Sequence, residues 1–506
     1  MAFYHILTNT RAEFLSKFYK SLDWIGTHSV GGGVAVNSKF LKPYPEVTGY
    51  YIPTLLNWTE EARAREYGNW LQSVQLESGA WTDPSETCTC IFDVGQIVRG
   101  LLALAQHTGE KNWDESIRRG VSWCTSFIDD DGAINPPDEK VWSGNVSWGI
   151  LLYALEPLRR AALYLNDNDS VVKIDKCIAW FLEQSDLTTF THLSHFHAYI
   201  MEALFDLGHV DRCREGMRQI AALQCRNGAV PAYPDVSWVC STGLFQYAIV
   251  WYKLGENERA HRAFAYATSL QNKSGGWYGS YGGLTRILPN RFGLGRYFAR
   301  AEISWAVKYF LDALQLMLRA SFEDMAHIFS EKIGPQDGRY KLISQIASRP
   351  GIVSVLDAGC GKGRYLRLLS QDMLHLKLTG ADISVNVMSS LPESIAKAQG
   401  SLLSLPFADA SFDMVYVCES LEHAVHLNGA LCELARVVRP GGVLCIIDKN
   451  IQKLGKMKIS GWEQWFDIDD LSNRLQNLNF DVSVESNVPY EGMADGLFTA
   501  WIAVKR

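Results

Sequence analysis

The chain has 506 residues, of which 47% are hydrophobic, 12% aromatic and 20% charged. A chain of this length forms more than one domain, and its apolar content excludes a disordered or collagen-like polypeptide. The net charge of −7 argues against general nucleic-acid binding, because no large cationic surplus is present to offset a phosphate backbone.

Three further expectations concern the cellular location of the protein. No stretch of about 18 apolar residues occurs, so no membrane span is expected. Residues 1–14 lack an apolar core after a basic start and do not predict a signal peptide. The eleven cysteines are an odd number and are scattered, which predicts a cytoplasmic protein with reduced thiols and no metal site.

The chain changes character near residue 320. Of its sixteen tryptophans, only Trp462, Trp465 and Trp501 follow residue 310. Helical patterns succeed one another in the first part, whereas the last part alternates short β-branched runs with helical stretches, which is typical of βαβ units and a parallel sheet. The chain is therefore predicted to be multidomain, with an all-α domain over residues 1–320 and an α/β domain over residues 321–506.

A repeat of about 50 residues organises the first domain. Amphipathic helices precede each clear copy and more apolar helices follow it, so an outer and an inner layer are expected. Glycine in the repeat suits a helix C-terminus that needs a left-handed residue. The pattern predicts helix pairs that close into an α/α toroid, with an open solenoid as the alternative. The four copies of the frame are residues 75–81, 128–134, 224–230 and 271–277.

Two copies, Gln75–Trp81 and Gln271–Trp277, have the pattern Gln-x-x-x-Gly-x-Trp. This pattern is similar to the repeat of terpene cyclases and prenyltransferases, and α/α toroids also serve many carbohydrate-processing enzymes. The resemblance implies the architecture rather than the chemistry. The only Asp-x-Asp-Asp string, which one class of terpene cyclases uses as its acid, is Asp467–Asp470 in the other domain, where it is predicted to cap a helix.

Aromatic and histidine side chains recur near the starts of the apolar helices. Ser-Trp pairs stand there in several repeats, and the corresponding place in another repeat has His195 and His197. Such platforms suit sugar rings, and the alternative is ordinary core packing. Residues 43–56 also resemble a string found in α/α-toroid proteins that accompany polysaccharide synthesis, which implies Glu46 as a polar group at the cavity. The candidate catalytic residues of the toroid are Glu46, His195 and His197.

The second domain begins with a glycine-rich turn. A buried strand, Ile352–Ala358, runs directly into Gly359–Gly363 and then into a helix. Glycines at such a turn let the backbone approach a ligand and present amide groups at the helix start. A dinucleotide fingerprint would need another glycine where Arg364 stands. The next strand ends near Asp382, at about the usual distance for a carboxylate that accepts ribose hydroxyls.

This order of motifs resembles a class I S-adenosylmethionine-dependent methyltransferase with a Rossmann-like sheet. Val355–Gly363 matches the family's first motif, and Arg439–Gly442 matches a late one. The resemblance implies S-adenosylmethionine as the cofactor. The residues that it implies in cofactor binding are Asp357, Ala358, Gly359, Cys360, Gly361 and Gly363 at the methionine end, Asp382 at the ribose, and Ile383, Ser401 and Leu402 at the adenine.

One position departs from the family pattern. Ser401 stands where the family often has an aspartate that binds the adenine amino group. Adenine recognition is then expected to depend on backbone groups or on the serine hydroxyl, and an inactive descendant is the alternative.

Catalysis needs a base near the methyl group, because an oxygen acceptor must lose a proton. Glu422 and His423 follow the fourth strand, at the end of the sheet where ligands bind, and imidazole has a suitable intrinsic pKa. The alternative for His423 is a packing role. We predict O-methylation of a glycan or glycoconjugate, with the toroid binding or processing the saccharide. The alternatives are a terpenoid or other small secondary metabolite as acceptor, and a toroid that serves as a protein-binding scaffold.

Overall fold

The computed structural model describes residues 11–137, 148–282, 296–455 and 464–506. The chain divides into two compact units. The helical unit consists of Lys17–Leu56 and Glu60–Met317, and the sheet unit is formed mainly by Leu318–Arg506.

The helices up to Asp324 alternate between two kinds. Even-numbered helices are apolar and buried on nearly all sides, whereas odd-numbered helices are amphipathic and bury one face. In chain order the helices are α1 (Arg11–Thr27), α2 (Pro45–Asn57), α3 (Glu61–Ser73), α4 (Ile91–Thr108), α5 (Asp114–Thr125), α6 (Leu151–Tyr164), α7 (Asn168–Leu182), α8 (Ser194–Asp206), α9 (Val210–Leu223), α10 (Ser241–Leu254), α11 (Asn257–Ser269) and α12 (Ser304–Asp324).

Each even-numbered helix packs against the next even-numbered helix in chain order. Helix α4 approaches α2 so closely that a Cβ on Gly100 would lie 2.1 Å from the carbonyl oxygen of Gly49. The first and last of these helices also meet, because the Tyr51 hydroxyl on α2 donates a hydrogen bond to the carbonyl of Ser304 at the start of α12.

The repeat glycines are left-handed, with φ between +87° and +98°, as the sequence predicted. They do not end the helices, however, because the C-terminal cap positions are taken by other residues and each glycine lies in the turn that follows. Each lies against the backbone of another odd-numbered helix, where a Cβ would collide with a carbonyl oxygen. The last repeat lies against the first odd-numbered helix, since the Gln271 side-chain amide donates to the carbonyl of Lys17 on α1 at 3.0 Å. The glycine and carbonyl pairs are Gly79 with Arg119, Gly132 with Lys176, Gly228 with Arg262, and Gly275 with Lys20.

Two small antiparallel sheets accompany these helices. One has three strands, β1 (Ser29–Val30), β2 (Gly33–Asn37) and β3 (Phe40–Pro43), and the other pairs β4 (Val239–Cys240) with β5 (Ser280–Tyr281). The sequence did not predict them, because strands of two to five residues are too short to show an alternating pattern.

The sheet unit contains a seven-stranded sheet in its described part, with the order β11-β12-β10-β9-β6-β7-β8. Strands β6 to β10 run parallel, whereas β12 is antiparallel to β10 and to β11. The Rossmann-like sheet is therefore present, but it is mixed rather than purely parallel. The strands are β6 (Ser354–Ala358), β7 (Lys377–Asp382), β8 (Ala396–Gln399), β9 (Phe412–Cys418), β10 (Val438–Lys449), β11 (Phe480–Tyr490) and β12 (Met493–Lys505).

Helices connect the strands of this sheet. Asp467 caps the last one, because its carboxylate accepts the backbone amides of Asp469 and Asp470, as the sequence predicted. The helices are α13 (Gly338–Ala347), α14 (Arg364–Asp372), α15 (Val385–Met388), α16 (Leu427–Val437) and α17 (Ile468–Asn477). Across the described ranges of the chain, no helix is both long and apolar enough to cross a bilayer.

Candidate functional site

A cleft of about 470 Å³ lies in the sheet unit, at the carboxyl ends of β6, β7 and β9. Its walls are the glycine-rich turn after β6, the ends of the two neighbouring strands, and an apolar segment between Leu318 and Ser330. A volume of this size falls in the usual range for small-molecule sites, roughly 300–1,000 Å³.

The backbone of the glycine-rich turn leaves no room for a side chain at Gly359. Gly359 has φ of +79°, and a Cβ there would lie 2.5 Å from the side chain of Ser420. The amides of Gly359 and Cys360 donate to the carbonyl of Ala381 at 2.8 and 2.9 Å, which fixes the turn to β7. Gly359, Cys360 and Gly361 line the cleft, whereas Ala358 and Gly363, which were also predicted to bind the cofactor, are not among its lining residues.

Asp357 lies at the floor of the cleft and is almost fully buried. The Tyr416 hydroxyl donates to its carboxylate at 2.9 Å. Burial raises the pKa of Asp357 to about 7, and the Tyr416 hydrogen bond and the charge of Arg364 oppose this shift. The carboxyl group can therefore change its charge near neutral pH when a cation approaches.

Asp382 ends β7 and lines the cleft beside Ile383. Its Oδ2 accepts the amide of Gly361 at 2.9 Å, and its Oδ1 accepts the amide of Ser384 at 3.0 Å. Burial raises the pKa of this carboxyl group, while the backbone amides and the charge of His423 act in the opposite direction. The two amides hold the carboxylate in one orientation at the edge of the cleft.

Gly400, Ser401 and Leu402 form the far wall of the cleft. The Ser401 hydroxyl oxygen accepts the amide of Leu403 at 3.2 Å, so its own proton remains available to donate. The side chain that replaces the family's aspartate thus lines the cleft, but part of its accepting capacity is already used.

Glu422 and His423 lie together on the wall that follows β9. Both carboxylate oxygens of Glu422 accept the Lys449 ammonium, at 3.0 and 2.8 Å. The Nε2 atom of His423 lies 3.6 Å from Glu422 Oε1, and the ring of Phe322 meets the imidazole edge-on with centroids 5.3 Å apart. Burial and the neighbouring Glu422 charge raise the pKa of Asp448, which accepts the Glu422 amide.

Several cleft residues were not predicted. The apolar wall consists of Leu318, Phe322, Met325, Ile328 and Phe329, from a segment that carries no motif. Its helical spacing of large apolar side chains was the only available signal.

An ion network beside the cleft was also missed. The Glu419 carboxylate accepts Arg339 at 2.5 Å and Arg364 at 2.6 Å, and Asp337 binds the other side of the Arg339 guanidinium. Glu419 has φ of +55°, which is unusual for a residue with a side chain. Its position directly after β9 was the available signal, because ligands bind at such strand ends.

The candidates in the helical unit are buried there, and none lines the cleft. His195 Nδ1 lies 2.7 Å from Gln246 Oε1, and both ring nitrogens of His197 have partners, in Tyr247 and Thr188. Burial lowers the pKa of each histidine to about 4. His197 is thus fully hydrogen-bonded, as expected of a packing residue, and His195 has one hydrogen bond and lies among aromatic rings. Trp462, the first of the three tryptophans after residue 310, lies outside the described residues.

Comparison with known proteins shows which family part of the sheet unit matches. Residues 356–446 match the family model described as a methyltransferase domain. A sterol 24-C-methyltransferase from Gibberella zeae is 29% identical over 155 residues, which are 28% of this chain and 36% of that protein. An O-methyltransferase from Aspergillus nomiae is 34% identical over 134 residues, which are 25% of this chain and 57% of that protein.

A third relative is the 2-methyl-6-phytyl-1,4-hydroquinone methyltransferase of Synechocystis sp., which is 35% identical over 121 residues, or 23% of this chain and 37% of that protein. The chain thus spans between about a third and somewhat over half of the length of these curated relatives.

The matched domain is that of an S-adenosylmethionine-dependent methyltransferase, and S-adenosylmethionine is its cofactor. The residues present fit this group. The Gly359 turn leaves backbone rather than side chain against the cleft, and Asp382 presents a fixed carboxylate to it. In the described ranges, no group of histidine, cysteine, aspartate and glutamate side chains could hold a metal ion.

Proposed function

We propose that the whole chain is an S-adenosylmethionine-dependent methyltransferase whose acceptor is a hydroxyl group on a small molecule with an apolar portion. The juxtaposition that carries this proposal is the apolar wall around Phe322 beside His423, in the same cleft as the glycine turn and Asp382. The cofactor supplies a methyl group that its sulfonium already activates. The chain's own residues then have to bind and orient the acceptor and remove a proton from its hydroxyl group.

The cofactor contacts follow from where each side chain lies. We assign the ribose hydroxyls to Asp382, because its two oxygens are fixed by backbone amides and keep lone pairs toward the cleft. Gly359–Gly361 and Asp357 take the methionine end, where the ammonium group would meet the buried carboxyl. Ile383 packs on the adenine, and Ser401 with Leu402 takes its edge.

His423 is assigned as the base and Glu422 as a positioning residue. Glu422 is buried and both its oxygens are engaged by Lys449, so it is poorly placed to accept a proton from an acceptor. His423 lines the cleft with its side chain 19% exposed, and the Glu422 carboxylate 3.6 Å from its Nε2 orients the imidazole.

The apolar wall favours a lipophilic acceptor, such as a terpenoid or another small secondary metabolite. The names of the relatives, which include a sterol and a hydroquinone methyltransferase, support the same class. A glycan or glycoconjugate is the second candidate acceptor. The polar and aromatic interior of the helical unit favours it, with this unit binding the saccharide.

We also infer that residues 1–320 and 321–506 are separate domains and that the first is a closed α/α toroid. The contacts of Gln271 with α1 and of Tyr51 with the start of α12 support closure, because they join the last helices of the unit to the first.

Methyl transfer from labelled cofactor into cell-extract fractions tests the proposal. The full-length chain should label a solvent-extractable fraction, and label in a saccharide fraction would instead support the second candidate. His423→Ala should reduce transfer by about 10²–10⁴-fold with unchanged cofactor affinity. His375→Ala, an exposed histidine of the same unit, is the matched control. No label from protein that binds the cofactor, or equal rates for His423→Ala, would contradict the proposal.

A further inference from the structure

Two oppositely charged side chains, Glu419 and Arg364, lie side by side in the wall of the cleft. Both line it, and their side chains are 21% and 24% exposed. The Nη2 atom of Arg364 donates to Glu419 Oε1 at 2.6 Å. Glu419 directly follows β9, and Arg364 begins α14 directly after Gly363. The cleft therefore carries one carboxylate and one guanidinium group next to the glycine turn.

A buried arginine that does not line the cleft fixes the position of Glu419. The Nη1 atom of Arg339 donates to Glu419 Oε1 at 2.5 Å. The two oxygens of Asp337 accept the other side of this guanidinium, each at 2.9 Å, and the ring of Phe498 lies 4.9 Å from it. Glu419 is thereby held in place although its φ of +55° is costly for a residue with a side chain. Backbone strain of this kind is common at ligand-binding positions.

Both cleft residues keep atoms that can bind a ligand. The two hydrogen bonds that the Glu419 carboxylate accepts go to Oε1, so Oε2 accepts none from the residues that the structure describes. Arg364 donates only through Nη2, which leaves its Nε and Nη1 without an acceptor in the described ranges. A negatively charged acceptor and positively charged donors thus lie together in one wall of the cleft. They match a ligand that carries both an ammonium and a carboxylate group.

The other cations of the cleft are engaged elsewhere. Among the described residues, the lysine and arginine side chains that line it are Lys362, Arg364 and Lys449. Both oxygens of Glu422 accept the Lys449 ammonium, and Lys362 lies 3.9 Å from Glu331. Arg364 is therefore the cation best placed to meet a carboxylate beside the glycine turn.

The floor of the cleft adds a second acidic group. Asp357 lines the cleft, and the charge of Arg364 acts on it. An ammonium group has three donors, so it can bind Glu419 in addition to Asp357. The methionine end of the cofactor, which was assigned to Asp357 and the glycine turn above, carries one ammonium and one carboxylate group.

We propose that Arg364 binds the carboxylate of the cofactor's methionine end and that Glu419 binds its ammonium group. Arginine suits a carboxylate because its N–H groups lie in one plane and can donate in pairs. A site built to pair both charged groups rejects ligands that lack either one, since its own charged side chain would then be left without a partner. The inference deepens the proposed function and rests on it for the placement of the methionine end at the glycine turn.

The test is calorimetry of the full-length protein with three ligands that all keep the sulfonium. They are S-adenosylmethionine, its decarboxylated analogue and its deaminated analogue. Arg364→Met should weaken cofactor binding by about tenfold or more, because a charge-assisted hydrogen bond is lost. It should change binding of the decarboxylated analogue by less than about threefold, because that ligand has no carboxylate to lose. Arg367→Met, on the same helix but not in the cleft, is the matched control and should stay within about twofold for every ligand.

Glu419→Gln should give the complementary pattern. The glutamine keeps an oxygen for Arg339 and Arg364 but removes the negative charge. Cofactor binding should weaken by about tenfold or more, whereas binding of the deaminated analogue should change by less than about threefold. Glu393→Gln, an exposed glutamate of the same unit, is the control.

Comparison of each variant with itself across the ligands separates binding from folding, because a loss of folded protein affects all three ligands alike. Arg364→Gln and Glu419→Asp replace any variant that does not fold, with the same expected patterns. Unchanged cofactor affinity in the folded variants, or equal weakening of the cofactor and the matching analogue, overturns the inference. Wild-type protein that binds the cofactor and both analogues equally well overturns this inference alone. Wild-type protein that does not bind the cofactor overturns the methyltransferase proposal as well.

Discussion

Replacement of Asp382 by alanine tests the cofactor site most directly. The carboxylate oxygens lie 2.9 Å from the amide nitrogen of Gly361 and 3.0 Å from that of Ser384. Each oxygen can accept a second hydrogen bond, and the proposed partners are the two ribose hydroxyls. The variant removes both of these acceptors, together with the hydrogen bonds that the carboxylate accepts from the amides of Gly361 and Ser384.

The expected loss follows from the number and kind of hydrogen bonds. A hydrogen bond to a charged acceptor contributes about 1.5–3 kcal/mol, so two contribute about 3–6 kcal/mol. Water that enters the emptied space restores part of this binding free energy. We therefore expect a net loss of about 3 kcal/mol in cofactor binding, which corresponds to a roughly 150-fold higher Kd. Asp409→Ala, whose carboxylate is 80% exposed, should change the affinity less than twofold.

Calorimetry with S-adenosylmethionine is the assay, with the thermal midpoint as the check on folding. The pH dependence adds a second readout. Burial raises the pKa of Asp382, and hydroxyl donors bind its ionised form better. Wild-type affinity should therefore fall as the pH is lowered through this pKa, and that component should be absent from the variant. An affinity within threefold of the wild type in a folded Asp382→Ala protein would refute the ribose assignment.

The remaining predictions concern a buried carboxyl, a glycine and the repeat. Burial raises the pKa of Asp357 to about 7, so the folded state holds a proton that the unfolded state has released, and stability falls by up to about 4 kcal/mol as the pH rises from roughly 4 to 8. Asp357→Asn should lack this component in urea unfolding at a series of pH values, and parallel curves for the two proteins would contradict the assignment. Gly359→Ala should lower the thermal midpoint more than Gly441→Ala, because both glycines have positive φ but only the first would place a Cβ against a neighbouring side chain. Equal losses would show that backbone strain alone requires the glycine. Gln271→Ala should destabilise the protein by about 2 kcal/mol, since its amide joins the last repeat to α1. Gln75→Ala should cost a similar amount, since its amide joins the first repeat to the carbonyl of Ser116 on α5. A neutral Gln271→Ala in the same unfolding assay would count against a closed toroid.

The glycine turn could be predicted because all of its determinants are adjacent in the chain. A buried strand, glycines with positive φ and a helix start follow one another between Ser354 and Asp372, and each constrains the next. The repeat glycines could be predicted for the same local reason. The mixed character of the sheet could not, because the antiparallel placement of β12 depends on pairing with β10 across the sheet.

Only some of the residues at the proposed methyl-transfer end of the cleft could be predicted from the sequence. Glu422 and His423 follow a strand that the sequence indicates, so their place at the cleft could be expected. Two other contacts could not be expected, because they join segments far apart in the chain. Lys449 pairs with Glu422, and Phe322 faces His423. No local pattern encodes such meetings.

The amino-acid sequence by itself determined the nucleotide-binding turn and the left-handed glycines of the repeat, because backbone conformation there is set by neighbouring residues. Only the tertiary structure decided what surrounds the reactive end of the cleft and how Glu419 meets Arg339 and Arg364. Both depend on side chains brought together from distant helices and strands, and the free energy of those contacts exists only once the chain has packed.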